Sequence, residues 1–186
     1  MVGYSMKLPN INENCSKTFK YRDFIECSDT YKKTLVNNIP KNLKTYEAIQ
    51  KLANELLEKI VAEFGSIQLT YGFCGSYLQK EIKKNIYPKL DQHAGYELSK
   101  RGDLICKREG FAVDFLVENI SSLFVSRWII QNCIFDRLYY YGAERPLHIS
   151  YSNNNLSKII LMRFRKVRVV PQVIKTNDFL NSNINF

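Results

Sequence analysis

The stretch Gly110-Phe111-Ala112-Val113-Asp114-Phe115-Leu116-Val117 places one carboxylate in the middle of an apolar run. A short run rich in valine and phenylalanine predicts a largely buried β-strand. Removing a lone carboxylate from water is costly, so a buried aspartate needs a cation, a metal or a set of hydrogen-bond donors facing it. This stretch therefore predicts both a central strand and a polar site built on that strand.

The two histidines of the chain supply partners for Asp114. His93 ends the segment Asp91-Gln92-His93, and His148 lies in Leu147-His148-Ile149-Ser150-Tyr151, whose alternation predicts a second strand. A single histidine beside an apolar run is usually an ordinary core or surface residue. Two imidazoles and one carboxylate with an open fourth position, however, form a ligand set that catalytic zinc uses to generate hydroxide. We predict that His93, Asp114 and His148 bind zinc.

These three motifs, in this order, resemble the zinc D-alanyl-D-alanine peptidases, whose fold is shared with the hedgehog signalling domain. The family pattern is roughly Ser-Gln-His, then Gly-x-Ala-x-Asp, then an x-His-x-Ser strand. Similarity extends over residues 24–155 and includes an Asn-Ile-Pro turn at 38–40, an amphipathic helix at 46–64, a strand at 67–73 and a Phe-Asp-Arg-Leu segment at 135–138.

The resemblance implies an α+β fold of the hedgehog/DD-peptidase type, with a central, mainly antiparallel sheet and two amphipathic helices packed on it. It implies a zinc peptidase that cleaves cell-wall peptides containing D-amino acids. Within the matching motifs we predict Gln92, Tyr71 and Ser150 as substrate-binding residues. Glu144, four residues before His148, is the predicted catalytic acid/base, and its alternative role is that of a solvated turn residue paired with a neighbouring arginine.

Three departures from the family pattern leave other interpretations open. Residues 94–109 form an insertion between the first histidine and the aspartate, for which we predict a hairpin turning at 100–103. The family arginine after the first strand is replaced here by Cys74, and the acid lies at a displaced position. The chain is therefore interpreted either as an active peptidase or as a zinc-binding module of the same fold with a structural or binding role. A third interpretation is a cysteine hydrolase that uses Cys74 or Cys106 with a histidine.

Composition predicts one globular domain without membrane association. The chain has 186 residues, with 45% hydrophobic and 24% charged residues, which is ordinary for a single domain. Five irregularly spaced cysteines favour reduced thiols. The N-terminal residues lack the apolar core of a signal peptide. We therefore expect a cytoplasmic monomer, possessing a phage-type route to the cell wall if it is a wall enzyme.

The net charge of +9 has two interpretations. Residues 158–170 alternate cations with apolar residues, which is typical of a nucleic-acid-binding strand and equally of a solvated edge strand. We favour the edge strand, and anionic wall polymers would suit a basic enzyme equally well. The predicted organisation is an irregular segment at 1–20, the zinc domain at 21–157 and a basic strand with a tail at 158–186. Within the domain, short helices are predicted at 76–85, ending at Tyr87-Pro88, and at 121–133, capped by Asn119 or Ser121.

Overall fold

The computed structural model describes residues 7–83, 92–166 and 168–181 as an α+β fold built on one open, six-stranded, mostly antiparallel sheet. The strands are β1 (Ile67–Tyr71), β2 (Phe111–Val117), β3 (Arg137–Tyr140), β4 (Leu147–Tyr151), β5 (Lys158–Arg165) and β6 (Arg168–Ile174). Their spatial order is β1-β2-β4-β3-β5-β6, and only β3 and β5 pair in parallel. The predicted fold class is confirmed at this level.

The helices of the described residues are mostly short, apart from one long helical segment. They are α1 (Tyr21–Ile25), α2 (Asp29–Thr34), α3 (Leu43–Leu52), a π-helical turn (Ala53–Leu57), α4 (Glu58–Phe64), α5 (Ser76–Glu81), a 3₁₀ turn (Gln92–Ala94), α6 (Ser122–Asn132) and α7 (Thr176–Asn181). The long segment from α3 through α4 confirms the predicted first helix, and its N-cap is Asn42, whose side chain accepts a hydrogen bond from the Lys44 N–H. Ser121 caps α6 in the same way.

The strand register separates the sheet into two chemically different faces. One face carries Val113, Ile149, Leu138 and Ile159 in adjacent paired positions, and it packs against the long helix to form the main core. The opposite face carries a row of paired residues that crosses all six strands: Tyr71, Asp114, His148, Tyr139, Ile160 and Val173. The candidate site therefore lies on the face that the long helix leaves uncovered.

The insertion forms the predicted hairpin and is attached firmly to the rest of the fold. Leu98 and Leu104 form a bridge, and Gly102 occupies the turn with φ +86°, a conformation that glycine adopts easily. The carboxylate of Glu97 accepts hydrogen bonds from the backbone N–H groups of Lys41 and Asn42 at 3.0–3.1 Å and from the Thr45 hydroxyl at 2.9 Å. The insertion thus caps the start of α3, a contact between residues more than fifty positions apart.

The C-terminal region differs from the sequence prediction. One basic strand followed by a tail was expected from residue 158, whereas the structure has a hairpin of β5 and β6 followed by α7. β5 lies inside the sheet and contributes Ile159 and Leu161 to the main core, so β6 is the edge strand. The predicted helix at 76–85 is shorter, ending at Glu81, and Tyr87-Pro88 lie outside the described residues. No helix among the described residues has the length and apolarity needed to cross a membrane.

Candidate metal centre

Strand pairing brings two of the three predicted ligands together. Asp114 in β2 is the direct partner of His148 in β4, and side chains of directly paired residues project from the same face of a sheet. A bulge between Leu69 and Tyr71 shifts the register of β1, so that Tyr71 becomes the partner of Asp114 on that face. Tyr71, Asp114 and His148 therefore form one continuous row.

A short turn above the sheet supplies the third ligand. His93 is the middle residue of the 3₁₀ turn, and its carbonyl accepts a hydrogen bond from the Cys74 N–H at 3.1 Å. The neighbouring Gln92 is buried and donates from its amide nitrogen to the Glu109 carbonyl at 2.6 Å and to the Asp136 carboxylate at 2.7 Å. These bonds hold the turn at both ends of the insertion, which explains how His93 and Asp114 meet although twenty residues separate them.

The three ligand atoms lie close enough to share one metal ion. His148 Nδ1 is 2.8 Å from Asp114 Oδ1, His93 Nε2 is 3.2 Å from His148 Nδ1, and His93 Nε2 is 3.3 Å from Asp114 Oδ1. Tetrahedral ligands at zinc bond lengths near 2.0–2.1 Å lie about 3.3 Å from one another. The observed triangle matches one face of such a tetrahedron to within about half an ångström. The group could therefore hold a metal with little rearrangement.

Hydrogen bonding around His93 indicates that a cation belongs at the centre of this triangle. His93 Nδ1 lies 2.8 Å from the carbonyl oxygen of Gly72, and a carbonyl can only accept, so the Nδ1 atom carries the proton. Nε2 of a neutral ring then directs a lone pair at the carboxylate oxygen, which is repulsive unless a proton or a metal lies between them. A bond from the second ring nitrogen to a backbone carbonyl is the usual support of a metal-binding histidine.

The carboxylate itself is held in its charged form. Burial alone would raise the pKa of the Asp114 carboxyl, but the positive potential of His93 and the hydrogen bond with His148 outweigh burial and lower the pKa below its usual value. Both histidine side chains are almost fully buried, at 2% and 1% exposure, whereas that of Asp114 is 23% exposed. Solvent therefore reaches the centre on its carboxylate side.

Two tyrosines enclose the histidine pair. The ring of Tyr71 packs edge-on against His93 with centroids 4.4 Å apart, and the ring of Tyr139 packs in the same manner against His148 at 4.7 Å. Sequence reasoning selected Tyr71 but did not select Tyr139 or the Gly72 carbonyl. Alternation in residues 137–140 would have placed Tyr139 on the histidine face, had the pairing of β3 with β4 been known.

The remaining predicted site residues occupy different surroundings. Ser150 is fully buried, and its hydroxyl accepts a hydrogen bond from the Arg137 N–H at 3.2 Å. Glu144 lines a cavity with residues 66–68 and 116–121, and none of the three ligands lines that cavity. Its catalytic role, and the substrate-binding roles of Gln92, Tyr71 and Ser150, stay predictions. Asp91 lies outside the described residues.

Cys74 and Cys106 do not belong to the group that brings the histidines together, which among the described residues consists of His93, Asp114 and His148. Cys106 is buried, with 1% exposure. Comparison of the chain with protein-family models, with curated proteins and with solved structures finds no match. The interpretation of this site therefore rests on its own geometry and on the motifs in the sequence.

Proposed function

We propose that this chain is a zinc-dependent hydrolase of the hedgehog/DD-peptidase type that cleaves peptides containing D-amino acids. The observation that carries the metal assignment is the triangle of Nε2, Nδ1 and Oδ1 atoms with edges of 2.8–3.3 Å. Two nitrogens and one oxygen suit zinc, which accepts imidazole and carboxylate ligands in tetrahedral geometry. The peptide substrate is supported by the likeness of the three ligand motifs to that peptidase family.

The residues of the chain have distinct tasks in this proposal. His93, His148 and Asp114 hold the ion, and the Gly72 carbonyl fixes the tautomer of His93. When bound, zinc would acidify a water molecule and polarise the scissile carbonyl. Tyr71 and Tyr139 shield the histidines from water, which strengthens electrostatic interactions at the centre. Glu144 is the proposed proton carrier, because it begins the turn that leads into β4 and His148.

One observation favours a second function, a zinc-binding module without catalysis. Glu144 lines a cavity separate from the ligands, and among the described residues the only carboxylate grouped with the histidines is Asp114. General acid/base catalysis needs a group within hydrogen-bond reach of the reacting proton, directly or through one water. A loop movement that carries Glu144 to the centre is therefore required for the peptidase and is unnecessary for the module.

Metal analysis and turnover measurements distinguish these functions. Protein prepared without chelator is expected to carry about one zinc per chain, and His148→Ala is expected to lose it. Zinc-loaded protein is then incubated with peptides ending in D-Ala-D-Ala, and release of D-alanine is measured against a chelated control. Zinc without turnover on any wall peptide supports the module, and absence of zinc from the unmutated protein contradicts both proposals.

The role of Glu144 has its own test. Glu144→Gln is expected to keep zinc and the fold but to reduce turnover by about 10²- to 10⁴-fold, the usual cost of losing general acid/base help. Glu118→Gln provides a matched control, since Glu118 is an exposed carboxylate lining the same cavity. An unchanged rate in Glu144→Gln would transfer the proton-carrying role to another residue, such as Asp91 or Tyr141.

A further inference from the structure

The end of the insertion is positioned beside the metal centre by contacts at both of its sides. Gln92 donates to the Glu109 carbonyl, and the Gly110 N–H donates to the Tyr96 hydroxyl at 3.2 Å. Glu97 anchors the other arm of the hairpin on α3. The segment that carries Arg108 is therefore fixed to the fold, and its placement is a property of the structure rather than of an exposed loop.

Arg108 reaches from this segment to the wall of the site. Its Nη1 donates to the hydroxyl oxygen of Tyr139 at 3.2 Å, and Tyr139 is the direct strand partner of His148. The Tyr139 ring is 4% exposed and lies edge-on to the His148 ring. A guanidinium is thus held one side chain away from a metal ligand, on the row that contains Asp114 and His148.

The chemistry of this pair favours an anionic oxygen. A phenol whose oxygen accepts from a guanidinium becomes a stronger donor through its own proton, because chains of hydrogen bonds polarise one another. The guanidinium also offers five N–H donors in a planar fork that matches a carboxylate. Donors of this kind next to an electrophilic ion suit a ligand that binds the metal with one group and presents a carboxylate a few ångströms away.

We propose that Arg108 and Tyr139 form a carboxylate-recognition subsite beside the metal, and that the insertion exists to build it. This inference rests on the proposed metal site. It makes the substrate an acyl compound with a carboxylate close to the bond that is cleaved. Arg108 and Tyr139 are specificity residues in this arrangement, and they leave the metal ligands themselves unchanged.

Two thiols test the subsite without relying on turnover. The protein is loaded with Co²⁺ in place of zinc, and the charge-transfer absorption of a cobalt-bound thiolate is used to titrate 3-mercaptopropionate and 2-mercaptoethanol. Both probes offer the same metal-binding group, but only the first carries a carboxylate. A charge-assisted hydrogen bond is worth a preference of about tenfold to a hundredfold, so the carboxylate thiol is expected to bind at least about tenfold more tightly.

Variants assign that preference to the proposed residues. Arg108→Met is expected to abolish it and Tyr139→Phe to reduce it, while both keep the cobalt spectrum. Lys107→Met is the matched control, since it removes the exposed neighbouring cation of the same hairpin and is expected to keep the preference. If Tyr139→Phe also loses cobalt, Arg108→Met decides, because Arg108 contacts the tyrosine rather than the ligand.

The outcomes separate the two proposals. Equal affinity of the two thiols for the unmutated protein, or a preference that survives Arg108→Met, overturns the subsite and leaves the metal site standing. Failure of the unmutated protein to show a cobalt spectrum overturns the metal site and the subsite with it. A preference that disappears in Lys107→Met as strongly as in Arg108→Met reveals only a general charge effect and also overturns the subsite.

Discussion

Removing metal from the His93–Asp114–His148 centre should lower the thermal stability of the whole domain. An ion that binds only the folded state stabilises it by RT ln(1 + [L]/Kd), which is about 2.7 kcal/mol when free ion is at 100 times Kd. For a chain of 186 residues, each kcal/mol shifts Tm by about 2–4 °C. Chelation is therefore expected to lower Tm by about 5–11 °C, with a smaller shift if the cysteines of the unfolded chain also bind zinc.

The structure explains why most of the binding free energy should appear as stability. The ligand atoms already lie 2.8–3.3 Å apart, so little is lost in rearranging the site. The assay is thermal unfolding followed by circular dichroism, with and without chelator, on the unmutated protein, Asp114→Asn and Asp103→Asn. Asp114→Asn keeps the shape of the side chain but removes the charged ligand, and it should not respond to chelation.

Asp103→Asn makes the same chemical change at an exposed turn of the insertion and should respond as the unmutated protein does. The reasoning fails if chelation leaves the Tm of the unmutated protein unchanged. It fails equally if Asp114→Asn shifts as far as Asp103→Asn, because zinc would then be binding elsewhere.

Two further predictions concern the contacts that support the site. Glu97→Ala should lower the free energy of unfolding by about 2–3 kcal/mol, because it strips the buried acceptor from the first backbone N–H groups of α3; urea unfolding measures the loss, and Glu109→Ala, an exposed carboxylate of the same insertion, should change it little. Glu58 accepts hydrogen bonds from the Ser16 hydroxyl and the Thr18 backbone, and although burial opposes the shift, these bonds lower its pKa. Its contribution to stability is therefore present above the ordinary glutamate pKa of about 4.3 and lost as pH falls through the lowered folded-state pKa. Glu58→Gln should make the loss of stability at acid pH shallower, and a variant with the same acid profile as the unmutated protein would show that the bonds contribute nothing.

Local sequence patterns were sufficient to identify the elements that carry the ligands. The alternation in residues 147–151 matches β4 at both ends, and the apolar run after Gly110 matches β2. These patterns are reliable because the face opposite the site is buried, and burial of alternate residues leaves a period of two in the sequence. The same logic placed the long helix, whose buried face includes Ile49, Leu52 and Leu56.

Long-range pairing could not be obtained from the same patterns. Nothing local to residues 158–174 distinguishes one basic strand from a hairpin whose first strand enters the sheet beside β3. The choice depends on non-local contacts, such as those that bury Ile159 and Leu161 in the main core. The position of Glu144 illustrates the same limit, since proximity to His148 in sequence placed it near the metal while the turn directs it to another cavity.

The insertion shows how a departure from a family pattern becomes part of the site. Its turn residues predicted a hairpin, but only the three-dimensional structure shows that Glu97 closes the N-terminus of α3 and that Arg108 meets Tyr139. Both contacts join segments more than thirty residues apart in the chain, beyond the reach of any local period. An insertion that was only tolerated would need no buried carboxylate and no contact with a residue touching a metal ligand. The presence of both argues that residues 94–109 determine which ligand the centre accepts.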